Sequence, residues 1–355
     1  MIGEFDLQIV HALQEAPRAP WSVLAAVLGT DARTISRRYD DLVSSGTLRV
    51  MVTPGPRMLG RIRWALLRAE TLPGQAEKVA RQLAAWPTAT TIRVLDGSFG
   101  TYALLSGEDH RAMWRAAQDR VARIPEIVTA EIHTIIESLD VGRAQRLDSL
   151  SRKQVAALRA YAAKPVPSGR EPTELTGTDA ALFNLLNADG RMEVAAVAAA
   201  LDRHPSWVSR RISRLQADGL LDFLAVTTDS SSSRPVTVLI WCSIAPTEWA
   251  ALARAPLAWV GLLTITTGRS NVFLIAHLPA LSAIGTALTE LAEHCPSLQV
   301  QETQLSVHAV KIQTRLMDEH ERWTDEISQP YDPESQMMGG SADDRVAVRP
   351  RPPAG

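Results

Sequence analysis

Cysteine is scarce in the 355-residue chain, which holds two, Cys242 and Cys295. They lie far apart and form no metal-site spacing. They imply neither a zinc site nor a disulfide framework, and nothing points to an oxidising compartment. Lysine is nearly absent too: of 37 basic residues only Lys78, Lys153, Lys164 and Lys311 are lysines. Arginine carries the positive charge, alongside abundant Ala and Pro. A GC-rich genome produces that bias unaided, so an arginine here is weaker evidence of purpose than in a Lys-rich chain. Long apolar runs are missing. Val236 to Trp241 and Trp259 to Ile265 fall far short of the roughly 20 residues a membrane helix needs. Met1 to Asp6 is acidic and runs straight into a helical pattern, so no signal peptide is expected. These absences predict a cytoplasmic protein with no membrane partner.

Catalytic signatures are also lacking. There is no G-x-S-x-G and no P-loop pattern. The histidines show no i, i+4 pair, and no His/Cys/acid cluster has ligand spacing. No catalytic residue, metal or cofactor is expected. The net charge is −2, so any affinity for nucleic acid rests on local clustering of arginine rather than on the sum.

What the chain does contain is a repeat. Placing Asp6 on Asp179, an offset of 173, aligns Leu13 with Leu186, Arg18 with Arg191, Ala25-Ala26 with Ala198-Ala199 and Leu28 with Leu201. It also aligns Ser36-Arg37-Arg38 with Ser209-Arg210-Arg211, Leu42 with Leu215 and Gly46 with Gly219. That is 11 identities in 41 positions, against roughly two to four expected by chance in so Ala- and Arg-rich a chain, and self-similarity of this kind marks a duplicated unit.

Each copy reads as three helices: about 6–16, 22–28 and 33–44 in the first, and about 179–189, 194–201 and 206–217 in the second. Ile35, Tyr39 and Leu42, like Val208, Ile212 and Leu215, have the spacing of a half-buried helix. Pro205 suits a first helical turn and Gly46 and Gly219 suit left-handed caps. Beyond each copy the pattern becomes strand, helix, strand, turn, strand, helix, strand, which is a βαββαβ order. The turns between the middle strands are Asp96 to Gly100 and Gly268 to Asn271. In this second part the offset is 171. The boundaries read as 1–52 and 174–226 for the helical modules and 60–138 and 234–316 for the α/β domains. A linker spans 139–173, with an amphipathic helix at 148–163 that places Leu150, Leu158 and Tyr161 near one face. The Pro/Gly-rich stretch 164–172 and the run Ser230 to Ser233 read as flexible, and the tail 328–355 as disordered.

These residues resemble the Lrp/AsnC (feast/famine) regulators, as a tandem fusion of two units. The resemblance rests on the Ser-Arg-Arg … Leu … Gly third helix followed by βαββαβ with a Gly turn. It implies an α+β fold with two winged-helix or helix-turn-helix modules and two ferredoxin-like domains. It further implies a sequence-specific transcription regulator, double-stranded DNA as partner, and an amino acid or related metabolite as effector at interfaces between α/β domains. Homo-oligomers through those domains are expected, with the two domains of one chain pairing as a pseudo-dimer. Family members often carry an acidic residue shortly after the turn glycine. Here Gly100 and Asn271 stand at those places, which puts amino-acid sensing in doubt.

A recognition helix presents the residues of its N-terminal part to base edges. The outward set in copy one includes Arg33, Thr34, Ser36 and Arg37. In copy two it includes Ser206, Trp207, Ser209, Arg210 and Ser213, and Arg214 is a further DNA-contact candidate. Arginine pairs bidentately with guanine, and Ser or Thr serves bases or phosphates. Arg37 and Arg210 are the leading DNA contacts. Arg38 and Arg211 are candidates as well, with a structural bridge inside the module as the equal alternative. Asp40 and Asp41 stand where copy two has Ser213 and Arg214, so the second module is expected to contribute more affinity. The effector candidates are Gly97, Ser98, Gly100, Gly268, Arg269 and Asn271, since glycine allows close backbone approach; a plain β-turn is the alternative. Trp64, Trp241 and Trp259 read as core. The other functional class is an enzyme like the sirohaem decarboxylases, which share the two-module architecture. The basic Arg-Arg-Ile-Gly-like strand of those enzymes is not matched by Leu48 to Val52 or Leu221 to Ala225.

Overall fold

The computed structural model describes residues 3–59, 62–107, 109–141, 147–162, 173–228, 232–313 and 315–327. The expected flexible stretch 164–172, Ser230 and Ser231, and the tail 328–355 lie outside the described residues.

In chain order, the first helical module comprises α1 (Glu4–Glu15), α2 (Trp21–Leu28) and α3 (Ala32–Ser44), then β1 (Leu48–Pro54) and the single turn α4 (Pro56–Leu59). The first α/β domain follows as β2 (Arg63–Thr71), α5 (Ala76–Ala84), β3 (Ala89–Leu95), β4 (Thr101–Gly107), α6 (His110–Val121) and β5 (Ile127–Val141). Helix α7 (Arg152–Ala162) comes before the second module: α8 (Gly177–Ala188), α9 (Val194–Ala200), α10 (Pro205–Ala217) and β6 (Leu221–Thr227). The second α/β domain is β7 (Val236–Ser243), α11 (Trp249–Arg254), β8 (Val260–Thr266), β9 (Val272–Leu278), α12 (Ala283–His294) and β10 (Gln299–Ile312), extended by a hairpin of β11 (Arg315–Met317) and β12 (Trp323–Ile327). The α+β class and the βαββαβ order are those read from the sequence.

Local chemistry sets the helical modules. Gly29 ends α2 at φ +71°, and the Asp31 carboxylate accepts from the Thr34 amide at 2.8 Å to cap α3. In the second module Pro205 opens α10, whose cap is His204. Gly46 and Gly219 follow α3 and α10 at φ +69° and +66°, the left-handed geometry that favours glycine. Ile35, Tyr39 and Leu42 turn inward onto Ile9, Leu13 and Leu24; Val208, Ile212 and Leu215 pack on Leu182, Phe183 and Leu186. Each such fully buried aliphatic side chain contributes about 1.5–3 kcal/mol relative to exposure. Helix α7 adds a fourth helix to module one. Leu150 and Leu158 are buried there as expected, but Tyr161 is half exposed. Polar contacts fix α7: Arg159 pairs with buried Glu15 at 2.7 Å, and His11 Nδ1 accepts from the Ser149 amide at 3.0 Å.

The two α/β domains pair within the one chain. Strand β5 lies against β2 through its first part and β8 through its second, while β10 lies against β7 and then β3. The sheet therefore closes in the order β10-β3-β4-β2-β5-β8-β9-β7, with β7 returning to β10. The ring has eight strands, and β11 and β12 extend the sheet beyond β10, with β12 as its outer strand. Leu66, Tyr102, Leu239, Trp241 and Phe273 fill its interior. Helices α5 and α6 cover one outer face, and α11 and α12 the other.

On the interior, laterally paired residues form two facing rows. One is Tyr102, Arg68 and Glu131; its repeat counterpart is Phe273, Trp241 and Glu302. The rows have diverged where they meet. The Arg68 guanidinium lies 4.6 Å from the Trp241 ring and 4.1 Å from that of Phe99. It donates to Glu131 at 2.8 Å and to Glu302 at 2.6 Å. A symmetric pairing would set arginine against arginine; the fused chain makes a cation–π contact there instead.

The helical modules are joined as one body. Strands β1 and β6 pair antiparallel from Leu48–Thr227 to Pro54–Leu221. Two repeat-related arginines clasp across this ribbon. Arg18 donates to the carbonyls of Gly190 and Met192, and Arg191 to those of Pro17 and Ala19. Arg191 also lies 3.6 Å from the Trp21 ring. Burial draws both guanidinium pKa values down, that of Arg191 to about 10, so both stay cationic near neutral pH. Gly190 approaches the β1 backbone so closely that a Cβ would fall 2.6 Å from the Val50 carbonyl. The terminal hairpin secures the ensemble. Trp323 donates its amide to Gly46 at 2.9 Å, and buried Arg315 donates to the carbonyls of Asn187 and Ala188 at the end of α8, each at 2.9 Å.

Truncating one clasp arginine strands two carbonyls whose hydrogen bonds were charge-assisted. Arg191→Ala is expected to lower stability by about 2–4 kcal/mol, read as an earlier transition in urea melts. An unchanged melt would show that the ribbon alone holds the modules.

Candidate nucleic-acid interface

The outward faces of α3 and α10 are where the expected DNA contacts gather. Arg33, Arg37, Asp40 and Asp41 are exposed on the first helix, and Ser206, Ser209, Arg210, Ser213 and Arg214 on the second. Arg210 is largely uncommitted: its one described contact is a 3.3 Å hydrogen bond to the Ser206 hydroxyl. Arg37 differs, standing 3.6 Å from Asp41 one helical turn on. That carboxylate competes with phosphate for the guanidinium.

Several of the other candidates have partners within their own module. Arg211 is turned inward, donating to both oxygens of fully buried Asp179 at 2.6 and 2.5 Å. Asp179 also receives the Thr176 amide and hydroxyl at the start of α8. Arg38 repeats the arrangement more loosely, 3.6 Å from Asp6. Arg211 thus bridges its recognition helix to the first helix of the module, and Arg38 stands at the equivalent place while remaining partly exposed. Arg214 donates to Thr173 at 2.7 Å and lies 4.0 Å from Asp218, so part of its donor capacity is spent beside the chain entering α8. Thr34 is drawn into the cap, its hydroxyl donating to Asp31 at 2.7 Å. Trp207 is half-buried against the module core with Arg203 beside its ring. Ser36 is half-buried.

The beginnings of the two helices differ in a way not anticipated from the sequence. Asp31 caps α3, and hydrogen bonds from the Thr34 side chain and amide hold its carboxyl below the usual range, so a full negative charge sits at that terminus near neutral pH. At the equivalent place His204 accepts the Ser206 amide through Nδ1 at 3.2 Å. With Arg38 and Arg211 set aside as internally paired, Arg33 and Arg37 face three aspartates over 31–45, whereas Arg210 and Arg214 face Asp218 alone over 204–218. The second helix thus carries the local positive charge that phosphate binding requires.

The expected effector turns sit at the ends of the barrel interior. Gly97 and Gly268 adopt φ +79° and +106°. Gln304 donates to the carbonyls of Asp96 and Phe99 under the first turn. His133, its repeat counterpart, underlies the second, with Nδ1 2.9 Å from the Thr267 carbonyl. Gly100 is buried against Ala76, while Ser98 and Arg269 are exposed. Asn271 is committed to structure: its amide oxygen accepts the Ile244 amide at 3.0 Å and its nitrogen donates to the Ile244 carbonyl at 2.9 Å. Its side chain splices β9 to the end of β7. Trp64, Trp241 and Trp259 all pack on hydrophobic clusters, as expected for core residues. Among the described residues no helix is long and apolar enough to cross a membrane.

Residues 3–43 match the AsnC-type helix-turn-helix domain. The chain is 22% identical over 131 residues to an uncharacterised HTH-type transcriptional regulator of Pyrococcus horikoshii, covering 37% of this chain and 83% of that protein. It is 23% identical over 132 residues to an uncharacterised HTH-type transcriptional regulator of Pyrococcus furiosus, covering 37% and 89%. The crystal structure of the siroheme decarboxylase NirDL in complex with an iron-uroporphyrin III analogue superposes with a TM-score of 0.54 at 15% identity, over 87% of this chain and 93% of that one. That likeness is one of fold. The chain carries an AsnC-type helix-turn-helix and resembles the Lrp/AsnC regulators as a tandem of two units.

The division of labour between neighbouring arginines is directly measurable. Arg211→Ala leaves a buried carboxylate unpaired and is expected to cost about 3–5 kcal/mol of stability. Arg210→Ala is expected to leave the melting temperature unchanged while weakening DNA binding by about 1–3 kcal/mol. A stable Arg211→Ala that loses only DNA affinity would reverse the assignment.

Proposed function

We propose that the protein is a sequence-specific DNA-binding transcription regulator in which one chain supplies both readers. The observation that carries this reading is the fixed pair of helix-turn-helix modules, joined by β1 and β6 and by the reciprocal Arg18 and Arg191 contacts. Each exposes a helix bearing Arg37 or Arg210. An AsnC-type match over residues 3–43 supports the same reading. The α/β barrel takes the dimerisation role inside the chain. The expected small-metabolite effector belongs with the exposed parts of the turns, Gly97, Ser98, Gly268 and Arg269.

The two readers are unequal. Asp31 and the Arg37–Asp41 pair weaken the first helix toward phosphate. The operator is accordingly an asymmetric pair of half-sites, with the second module supplying most of the affinity. Selection from random duplexes is expected to return two dissimilar half-sites, with binding that falls steeply as salt rises. Arg210→Ala is expected to reduce affinity more than Arg37→Ala. A palindromic consensus with equal losses would contradict the ranking.

The likeness in fold to NirDL favours a second reading, an enzyme acting on a sirohaem-like tetrapyrrole. Against it, the barrel interior is packed with Tyr102, Trp241, Phe273 and aliphatic side chains. Incubation with an iron tetrapyrrole tests this reading: an unshifted visible spectrum is the expected result, and a shifted band with loss of carboxylate would favour the enzyme.

A further inference from the structure

The two recognition helices end against neighbours of opposite charge. The β1–β6 ribbon lies between them, its Pro54–Leu221 end beside Gly219 and its Leu48–Thr227 end beside Gly46. Gly46 accepts the Trp323 amide from the terminal hairpin, which carries five acidic residues against one arginine over 318–326. Glu319, Asp325 and Glu326 of that hairpin are exposed. Gly219 instead accepts the Arg57 amide from α4 at 2.9 Å. From α4 a line of arginines leads onto the first α/β domain. Arg63 is exposed at the start of β2, on the face shared with Ala65 and Leu67, which α5 and α6 cover. Its register partner is Gly107. Helix α6 then begins at His110, with Arg111 and Arg115 exposed in its first turns. Trp114 stands beside them, 51% exposed. None of Arg57, Arg63, Arg111 and Arg115 is drawn into an ion pair among the described residues. Nearby Asp109 is spent on the α6 cap, accepting the Ala112 amide at 3.0 Å. In the other half the positions of Arg63, Arg111, Trp114 and Arg115 hold Val236, Ser282, Gly285 and Thr286. Divergence has put the positive edge on one flank only, the one next to the helix bearing Arg210.

We propose that this edge is a second DNA surface: Arg57, Arg63, Arg111 and Arg115 hold the phosphates of the duplex that continues beyond the half-site of the second module. The inference rests on the DNA-binding reading and extends it from the recognition helices to the barrel. Guanidinium forks suit phosphate oxygens, and Trp114 offers the deoxyribose an apolar flank. Contacts of this kind position a duplex without reading its sequence. Reaching α6 requires the duplex to bend toward the barrel, an elastic cost that the added phosphate contacts offset. On the opposite flank the acidic hairpin repels the backbone, so the footprint extends to one side alone.

Binding of the full-length protein to three duplexes tests it. One carries the two selected half-sites and little else; the others add roughly 20 base pairs of arbitrary sequence, two helical turns, at one end or the other. Protection lost in Arg210→Ala marks the half-site of the second module. Extension beyond that half-site is expected to raise affinity about tenfold at low salt, and extension beyond the first to leave it unchanged. The double variant Arg111→Ala, Arg115→Ala is expected to keep the wild-type melting temperature and to bind the trimmed duplex as the wild type does. It should gain nothing from either extension, and its log–log salt slope on the extended duplex should be shallower by about 2. A gain at the first module's end, no gain at either end, or a gain retained by the double variant would overturn the proposal. A trimmed duplex left unbound would remove the DNA-binding reading as well, which separates the two failures.

Discussion

Two strands, β5 and β10, belong to both halves of the molecule, and the rest of the arrangement depends on that sharing. Each runs along its own domain and then continues along the other, so neither α/β domain completes its sheet alone. Within the ring each strand has a neighbour on either side, and β12 is left as the sheet's outer strand. Closure fixes the domains about a pseudo-twofold axis, and that placement brings the two helical modules together so that β1 and β6 can pair. Arg18 and Arg191 then tie each module to the backbone of the other. The terminal hairpin binds both modules from the end of β10.

Fusion also released the halves from the demand of identical partners. Two copies of one chain must place the same residue on both sides of a twofold axis. Here Arg68 meets Trp241, Tyr102 stacks with Phe273 at 5.4 Å, and His133 and Gln304 underlie equivalent turns. The same freedom shows at the starts of α3 and α10, where Asp31 and His204 cap equivalent helices, and on the outer faces, where Trp114 and Gly285 occupy equivalent positions. Divergence of this kind turns a symmetric reader into one with distinguishable ends.

Much of this was legible in the sequence. The repeat exposed both helical modules, and local signals placed their boundaries: Pro205 at a first turn, Gly46 and Gly219 at positive φ. The βαββαβ order followed from alternating patterns and the Gly turns. Long-range pairing was not legible. Nothing in Leu48–Pro54 or Leu221–Thr227 specifies that they pair across more than 160 residues, and the hairpin after β10 is too short to show a period. The roles of Arg38 and Arg211 stayed open between DNA contact and internal bridge because residue type and helix position alone do not separate the two. A signal for the bridge was nonetheless present: Asp179, the partner of Arg211, is also retained between the copies, as are Arg38 and Asp6. Retained pairs of opposite charge mark internal bridges. Arg18 and Arg191 gave a similar signal, being identical residues in a loop that makes no recognition helix.

The central claim is that one chain is a rigid, two-headed reader. Titrating the protein against a duplex bearing its two selected half-sites, and against the same duplex with about half a helical turn, or five base pairs, inserted between them, tests it most directly. The account predicts one chain per duplex, with affinity falling on insertion to that of a single half-site. Unchanged affinity after insertion, or two chains per duplex, would contradict it.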